Sequence, residues 1–370
     1  GLILYEYSKK AMGSELNMWE SWRLELRKKV LAMCDADFES IALEMFRFTW
    51  TYNPLYNQYL DLLQIDAQAV KSLLDIPFLP IELFKSHRVQ TGFGSVLFAF
   101  ESSGTTGQVP SKHPVCDPEF YQKQSKRIFE SQYGPLSDYH IFALLPSYLE
   151  RSTSSLVFMM DYFIKESGSP ISGFFLNQYD ELVSQIKKGL LSNRKIWVMG
   201  VTFGLLDWVD SGQDFSFWKE AVDAGRLIVM ETGGMKGRRE EWIRERVHEF
   251  LKTSMGIEHI ASEYGMTELF SQAYASSDGI FSPGISMRVQ LREVTDPFAK
   301  VTTPGRVGGI QIIDLANIDS CPFIETRDLG ALNEDGIRFK VLGRFDNSEI
   351  RGCNLMVDQG WGTSQAEPSA

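Results

Sequence analysis

Between residues 139 and 261 the chain alternates short, wholly apolar runs with amphipathic stretches, and this alternation narrows the fold more than any other feature. Tyr139–Leu145 is followed by the helix-like Ser152–Ile164, Ser172–Leu176 by Tyr179–Leu190, and Lys195–Val201 by Phe203–Val209. Arg226–Glu231 runs through Gly233-Gly234 into Arg238–Lys252, and Glu258–Ala261 leads into a further loop and helix. Strands apolar on both faces and separated by helices predict an α/β fold whose mostly parallel sheet is covered on both sides. Upstream, Met18, Trp19, Trp22, Leu26 and Val30 recur at steps of three and four, which predicts an amphipathic helix over Glu15–Cys34. More helix is expected over Phe38–Phe48 and Pro54–Leu74, until the prolines of Asp75–Ile81 forbid a continued ladder. From Ile285 onward shorter segments (Ser286–Arg292, Gly309–Asp314, Ile337–Leu342) joined by turn residues point to an antiparallel, barrel-like portion. The organisation expected is a helical N-terminal segment (1–75), a core (76–343) and a tail (344–370).

Bulk properties exclude several classes of function. A net charge of −11 over 370 residues offers no broad basic surface for a nucleic acid. No stretch approaches the roughly 18 apolar residues of a membrane span. The opening Gly-Leu-Ile-Leu-Tyr-Glu is too short and wrongly flanked for a secretory signal. The four cysteines form no Cys-x-x-Cys pair and the five histidines show no ligand spacing, so neither zinc nor a disulfide framework is expected. A cytoplasmic location with reduced thiols is the default expectation.

In open α/β sheets, ligands gather beyond the carboxyl ends of the strands. The loops after Phe100, Leu145, Val201, Glu231 and Ser262 are therefore expected to face one crevice. The first follows a strand-like Ser95–Phe100 and contains Ser102, Ser103, Gly104, Thr105, Thr106 and Gly107, with Lys112 beyond. Glycines permit close backbone approach, successive N–H groups attract anions, and the hydroxyls and Lys112 complete a wrapper for a polyphosphate. A plain surface loop has the same composition. The glycine spacing does not match the P-loop template. After it, Asp117 and Pro118 supply an N-cap and a first-turn proline.

In Ser262-Glu-Tyr-Gly-Met-Thr-Glu268, Glu268 could hold a magnesium ion, Thr267 could donate to phosphate and Tyr264 could stack on a purine beside the Gly265 bend; a glutamate capping a helix is the alternative. Gly233 and Gly234 could lie against a flat base. Asp328 and Arg344, within Arg327-Asp-Leu-Gly330 and Gly343-Arg-Phe-Asp346, are what a ribose needs, and each stretch is also an ordinary turn composition. His113 and His140 could be bases, although packed or surface histidines have the same sequence appearance.

Taken together these segments resemble the adenylate-forming superfamily of acyl-CoA synthetases, luciferases and peptide-synthetase adenylation domains. Ser102–Gly107 looks like its phosphate loop, Tyr264-Gly-Met-Thr-Glu268 like its nucleotide and magnesium motif, Asp328 like its ribose-binding aspartate and Gly343-Arg344-x-Asp346 like its hinge. Ile76-Pro-Phe-Leu-Pro80 with Phe84-Lys85, Ser111-Lys-His113, Leu145–Arg151 and Arg351-Gly-Cys-Asn-Leu355 resemble the acyl-protein synthetases of bacterial luminescence fatty-acid reductase complexes, a group with relatives described simply as acyltransferases. The resemblance implies ATP and Mg²⁺, activation of a carboxylic acid expected to be fatty, and transfer of the acyl group to a protein thiol. It also implies an acyl reductase or acyl-carrier protein as partner.

Larger superfamily members continue past the hinge into a mobile lobe carrying a catalytic lysine, whereas only 26 residues follow Arg344 here, none of them lysine. The expectation is that the lobe is absent and that Lys112 supplies the missing charge. Cys353 matches the position of the acyl-accepting thiol, and the neighbouring Arg351 would favour its thiolate. A small buried hydrophobe is the alternative for this cysteine. Rival readings are a ligase delivering acyl groups to CoA or a small molecule, and a non-catalytic nucleotide-binding subunit.

Overall fold

The structure is a computed structural model and describes residues 2–103, 109–146, 150–233 and 242–345. Its centre is a seven-stranded sheet. Gly173–Phe174, Tyr139–Leu144, Lys195–Val201, Leu227–Thr232 and Ala261–Tyr264 run parallel in that spatial order, and Ala273–Ala275 and Ser282–Pro283 add antiparallel strands at one edge. Side chains alternate across this sheet and both faces are covered, as the unbroken apolar runs require. On one face Trp197, Met199 and Met230 share a core with Phe129 and Phe163 from the helices Pro118–Tyr133 and Ser155–Ser167. On the other, Phe142, Val198 and Val229 pack with Leu182, Leu206 and Leu251 from Tyr179–Leu190, Thr202–Asp210 and Arg244–Met255. Gly256, at φ +67°, ends the last of these helices in a conformation that only glycine adopts freely.

A second sheet of six strands follows the chain's change of texture. Met287–Arg292, Val307–Asp314, Phe323–Leu332 and Phe339–Arg344 are its main antiparallel strands, with the short Leu79–Pro80 and Lys300–Val301 beside them. The N-terminal helices Leu2–Ala32, Phe38–Tyr52 and Pro54–Leu62 lie against this half-barrel, with Phe46 and Tyr56 touching Phe323 edge-on and tilted. Arg23 and Arg27 clamp the first helix to Asp319, the Arg23 pair at 2.5 and 2.7 Å and Arg27 at 2.8 Å.

Several sequence expectations need correction. Helix over Pro54–Leu74 stops at Leu62 and gives way to single turns at Ala67–Ala69 and Leu73–Asp75. No helix follows Tyr264; the chain doubles back as the antiparallel strand Ala273–Ala275, so Glu268 is not a helix cap. The stretch Arg327–Gly330, compatible with a turn, belongs to the ten-residue strand Phe323–Leu332, where Arg327 and Asp328 stand between buried neighbours. The loop after Phe100 does not lead from strand to helix. Phe98–Glu101 pairs in antiparallel fashion with Lys112–Val115, which makes the loop the tip of a hairpin. Asp117 does cap the next helix, its side chain accepting from the Phe120 N–H at 3.0 Å.

Candidate active site

The parallel strands deliver their carboxyl ends to one cavity of about 860 Å³, as the switch-point argument requires. Its wall includes Ser103 from the hairpin loop, Leu145, Phe203, Gly233 and Gly265. All five loops singled out from the sequence therefore meet, and they bring Ser103, Gly233, Gly265 and Thr267 together. Leu144, Leu145 and Phe203 line the cavity, whereas Phe142, Leu205 and Leu206 belong to the core on the sheet's other face.

The hairpin ties the glycine loop to the Tyr264–Glu268 segment. Ser102 Oγ accepts the Ser111 N–H at 2.8 Å, and the Ser111 side chain in turn hydrogen-bonds Glu268. His113, on the returning strand, makes a 2.8 Å hydrogen bond through Nδ1 to the Thr267 carbonyl and stacks on Phe270 at 4.5 Å. Burial drives the His113 pKa down to about 4, so its imidazole is neutral and Nδ1–H is the donor. His113 is thus a positioning group and not a base. His140 lies at the amino end of its strand, away from the cavity, bonded to Ser169 and Ser192.

Asp328 and Arg344 face each other across paired strands, 3.7 Å apart. The Tyr264 hydroxyl donates to Asp328 Oδ2 at 2.7 Å. Burial raises the Asp328 pKa, opposed by that hydrogen bond and by the Arg344 and Arg244 charges. The Tyr264 ring is itself buried and packed edge-on against Phe339 at 5.5 Å and tilted against Phe281 at 5.8 Å. Its clearest role is to hold the carboxylate opposite Arg344.

Glu268 is buried, and burial raises its pKa against hydrogen bonds from Ser111 and its own backbone and against the charges of Arg344 and Lys85. A bound cation would favour its ionised form. Among the described residues no cluster of three or more His, Cys, Asp or Glu could hold a metal. A magnesium ion here would take one carboxylate and complete its shell with phosphate oxygens and water, a donor set that ion accepts. Lys112 is exposed at the edge of the hairpin, 3.5 Å from Glu101, itself on the cavity wall.

A buried hub supports the second glycine turn. Glu231 accepts from Ser262 Oγ at 2.6 Å and pairs with His248 at 3.2 Å and Arg244 at 3.3 Å. Burial pushes Glu231 upward, yet these partners outweigh it and its pKa falls below the usual value. The Thr202 hydroxyl lies 3.0 Å from Glu231 Oε2 and 2.9 Å from the Gly233 carbonyl, linking hub to turn. Sequence reasoning missed this hub, and also Glu263 and Gln272 on the cavity wall, and it gave Arg151 no role of its own. The strand–loop boundary at Ser262-Glu263 was the available signal: a carboxylate in an otherwise apolar strand end. Gly104, Thr105, Thr106, Gly107, Gly234 and Cys353 lie outside the described residues.

Comparison with solved structures shows a shared fold. A 2-hydroxyisobutyryl-CoA ligase in an open conformation, in complex with 2-HIB-AMP and CoA, superposes with a TM-score of 0.60 at 12% identity, covering 86% of this chain and 78% of that one. The same ligase in the thioesterification state gives a TM-score of 0.60 at 14% identity, covering 86% and 71%. No curated protein sequence matches the chain. The family model for LuxE acyl-protein synthetases matches residues 145–361, more than half of the sequence and most of the cavity wall described above. The chain therefore belongs to the LuxE acyl-protein synthetase family and is an ATP-using, acyl-adenylate-forming ligase.

Proposed function

We propose that this ligase activates an aliphatic, fatty-type carboxylic acid and passes the acyl group to the thiol of Cys353. The observation that carries the reading is the convergence of Ser103, Gly233, Gly265 and Thr267 on one cavity, with Tyr264 and Arg344 both held to Asp328. A carboxylate oxygen attacks the α-phosphorus of ATP, the bond from that phosphorus to the α,β-bridging oxygen breaks, and pyrophosphate leaves with the bridging oxygen and its electron pair. The protein's task is to hold two anions in contact, which calls for fixed donors and cations around them. Thr267, its carbonyl held by His113, and the Ser102 and Ser103 loop supply donors, while Asp328 takes the ribose hydroxyls beside Arg344. Mg²⁺ held by Glu268 would neutralise phosphate charge. Lys112 would supply a mobile cation at the cavity rim in place of its loose pairing with Glu101. Leu144, Leu145 and Phe203 provide apolar wall for an alkyl chain and exclude water from the mixed anhydride.

The second step moves the acyl carbon from phosphate oxygen to sulfur. The Cys353 thiolate attacks the carbonyl, the acyl–oxygen bond breaks, and AMP leaves with the electron pair. Cys353 lies eight positions beyond Phe345, the residue that follows the half-barrel strand Phe339–Arg344. Extended chain of that length reaches at most about 28 Å. An acyl reductase or carrier protein would then take the thioester onward.

The test is exchange of labelled pyrophosphate into ATP with and without acid, followed by a search for a hydroxylamine-labile acyl adduct on the protein. Acid-dependent exchange and an adduct lost in Cys353→Ser are expected. Exchange without acid dependence would end the adenylation reading, and an adduct retained by Cys353→Ser would end the thiol assignment. Acyl-CoA formed in place of the adduct when CoA is added would favour the ligase alternative.

A further inference from the structure

One end of the cavity is built from two buried side chains that present acceptor atoms, one of them without a donor. Glu263 closes the parallel strand Ala261–Tyr264, and Gln272 immediately precedes its antiparallel partner Ala273–Ala275. Both side chains line the cavity and both are buried, at 6% and 3% exposure. Gln272 spends its amide N–H on the Phe270 carbonyl at 3.1 Å, and its Oε1 has no hydrogen-bond partner among the described residues. Glu263 accepts a hydrogen bond from the Thr232 hydroxyl through Oε2. Its Oε1 lies where a side chain on Gly265 would stand, 2.3 Å from an ideal Cβ there, with Gln272 Cγ 3.7 Å from the same point. The two side chains therefore flank a single spot. Burial lifts the Glu263 pKa to about 7, Thr232 opposes this, and the other charge bearing on it is the negative Glu231.

Resting on the adenylation reading above, we propose that Glu263 and Gln272 recognise a hydrogen-bond-donating substituent, a hydroxyl or an amino group, on the alkyl part of the acid. A sheltered acceptor without a donor, such as Gln272 Oε1, is costly, and a ligand that brings a donor to this spot relieves it while Glu263 offers a second acceptor beside it. A purely apolar chain leaves Gln272 Oε1 unpaired, which is how a polar pocket rejects an analogue that lacks the group it was built to bind. The apolar wall and this acceptor pair are compatible: the first takes the methylenes, the second a substituent on them. The amino group of adenine is the other donor that enters the crevice, so the experiment includes a nucleotide arm.

The experiment is calorimetric binding to the full chain of unsubstituted alkanoates against the same acids bearing one hydroxyl or amino group at successive carbons. At least one donor-bearing acid is expected to bind at least about tenfold more tightly than its parent. Glu263→Leu is expected to abolish that preference, and Gln272→Leu to reduce it. No tighter binding by any donor-bearing acid overturns the proposal, as does a preference that survives Glu263→Leu or a Glu263→Leu effect confined to ATP affinity. Should Glu263→Leu not fold, Glu263→Gln serves, and has to weaken the amino-bearing acids specifically. Pyrophosphate release is measured on the same panel. Its absence with every acid counts against the adenylation reading, whereas the binding preference alone decides the pocket.

Discussion

Replacing Gly265 by alanine is a direct test of the crowding at the heart of the cavity. The new Cβ would lie 2.3 Å from Glu263 Oε1 and 3.3 Å from its Cδ, against an ordinary contact of 3.4–4 Å. The carboxylate has to retreat by about 1 Å, a distance set by van der Waals contact. Gly265 has no left-handed backbone conformation, so the substitution carries no dihedral cost and the contact is the whole effect. A retreat of that size breaks the hydrogen bond from Thr232, whose loss at a buried acceptor costs about 1–3 kcal/mol. Overpacking elsewhere in cores costs a similar amount, so Gly265→Ala should destabilise the fold by about 2 kcal/mol. Urea unfolding reads this directly, and pyrophosphate exchange reads the accompanying loss of activity. Removing the obstructing side chain in Gly265→Ala/Glu263→Ala should give less destabilisation than the two single changes summed, because the two residues are in contact. Strict additivity of the two changes would refute the argument, as would a Gly265→Ala protein of unaltered stability.

Tyr264→Phe removes the 2.7 Å hydrogen bond to Asp328 and should raise the KM for ATP about tenfold, equivalent to about 1.4 kcal/mol of binding, with a smaller change in kcat; steady-state kinetics on nucleotide checks this. His113 has a folded pKa of about 4 against an unfolded 6.5, so the unfolded chain binds the extra proton between these values. Its contribution is therefore present above pH 6.5 and lost as pH falls towards 4, on the order of 3 kcal/mol in total. A His113→Gln protein compared with wild type across that window should show a shallower fall in stability on acidification, and parallel curves would contradict the assignment. Asp319→Ala leaves Arg23 and Arg27 facing each other without their shared carboxylate and should cost about 3–5 kcal/mol in chemical denaturation.

The α/β alternation was legible because each buried strand is short, apolar throughout and followed by a helix of the right period; Tyr179–Leu190 and Lys195–Val201 appear with the expected bounds. The half-barrel was legible only in texture. Phe323–Leu332 escaped because a strand with one wet face, interrupted by Arg327 and Asp328, has the composition of a turn when its partners are not in view. The hairpin after Phe100 escaped for a related reason: Pro114 within Lys112–Val115 argues against a strand unless it occupies a position that needs no donor. At the candidate site, Asp328, Arg344, Glu268 and Thr267 stood out in the sequence because their residue types already suggest the chemistry. Ser111, Thr202, Glu263 and Gln272 were not, since their significance comes from neighbours far away in the chain.

Because the glycine loop is the tip of a two-stranded ribbon whose returning strand and adjoining serine grip both Thr267 and Glu268, the proposed phosphate and cation sites would share a single mechanical lever. Any tilt of that ribbon would move the proposed triphosphate cradle and the Glu268 carboxylate in concert. Nucleotide grip and metal grip then rise or fall as one quantity, so substitutions in the ribbon should alter the two affinities in step.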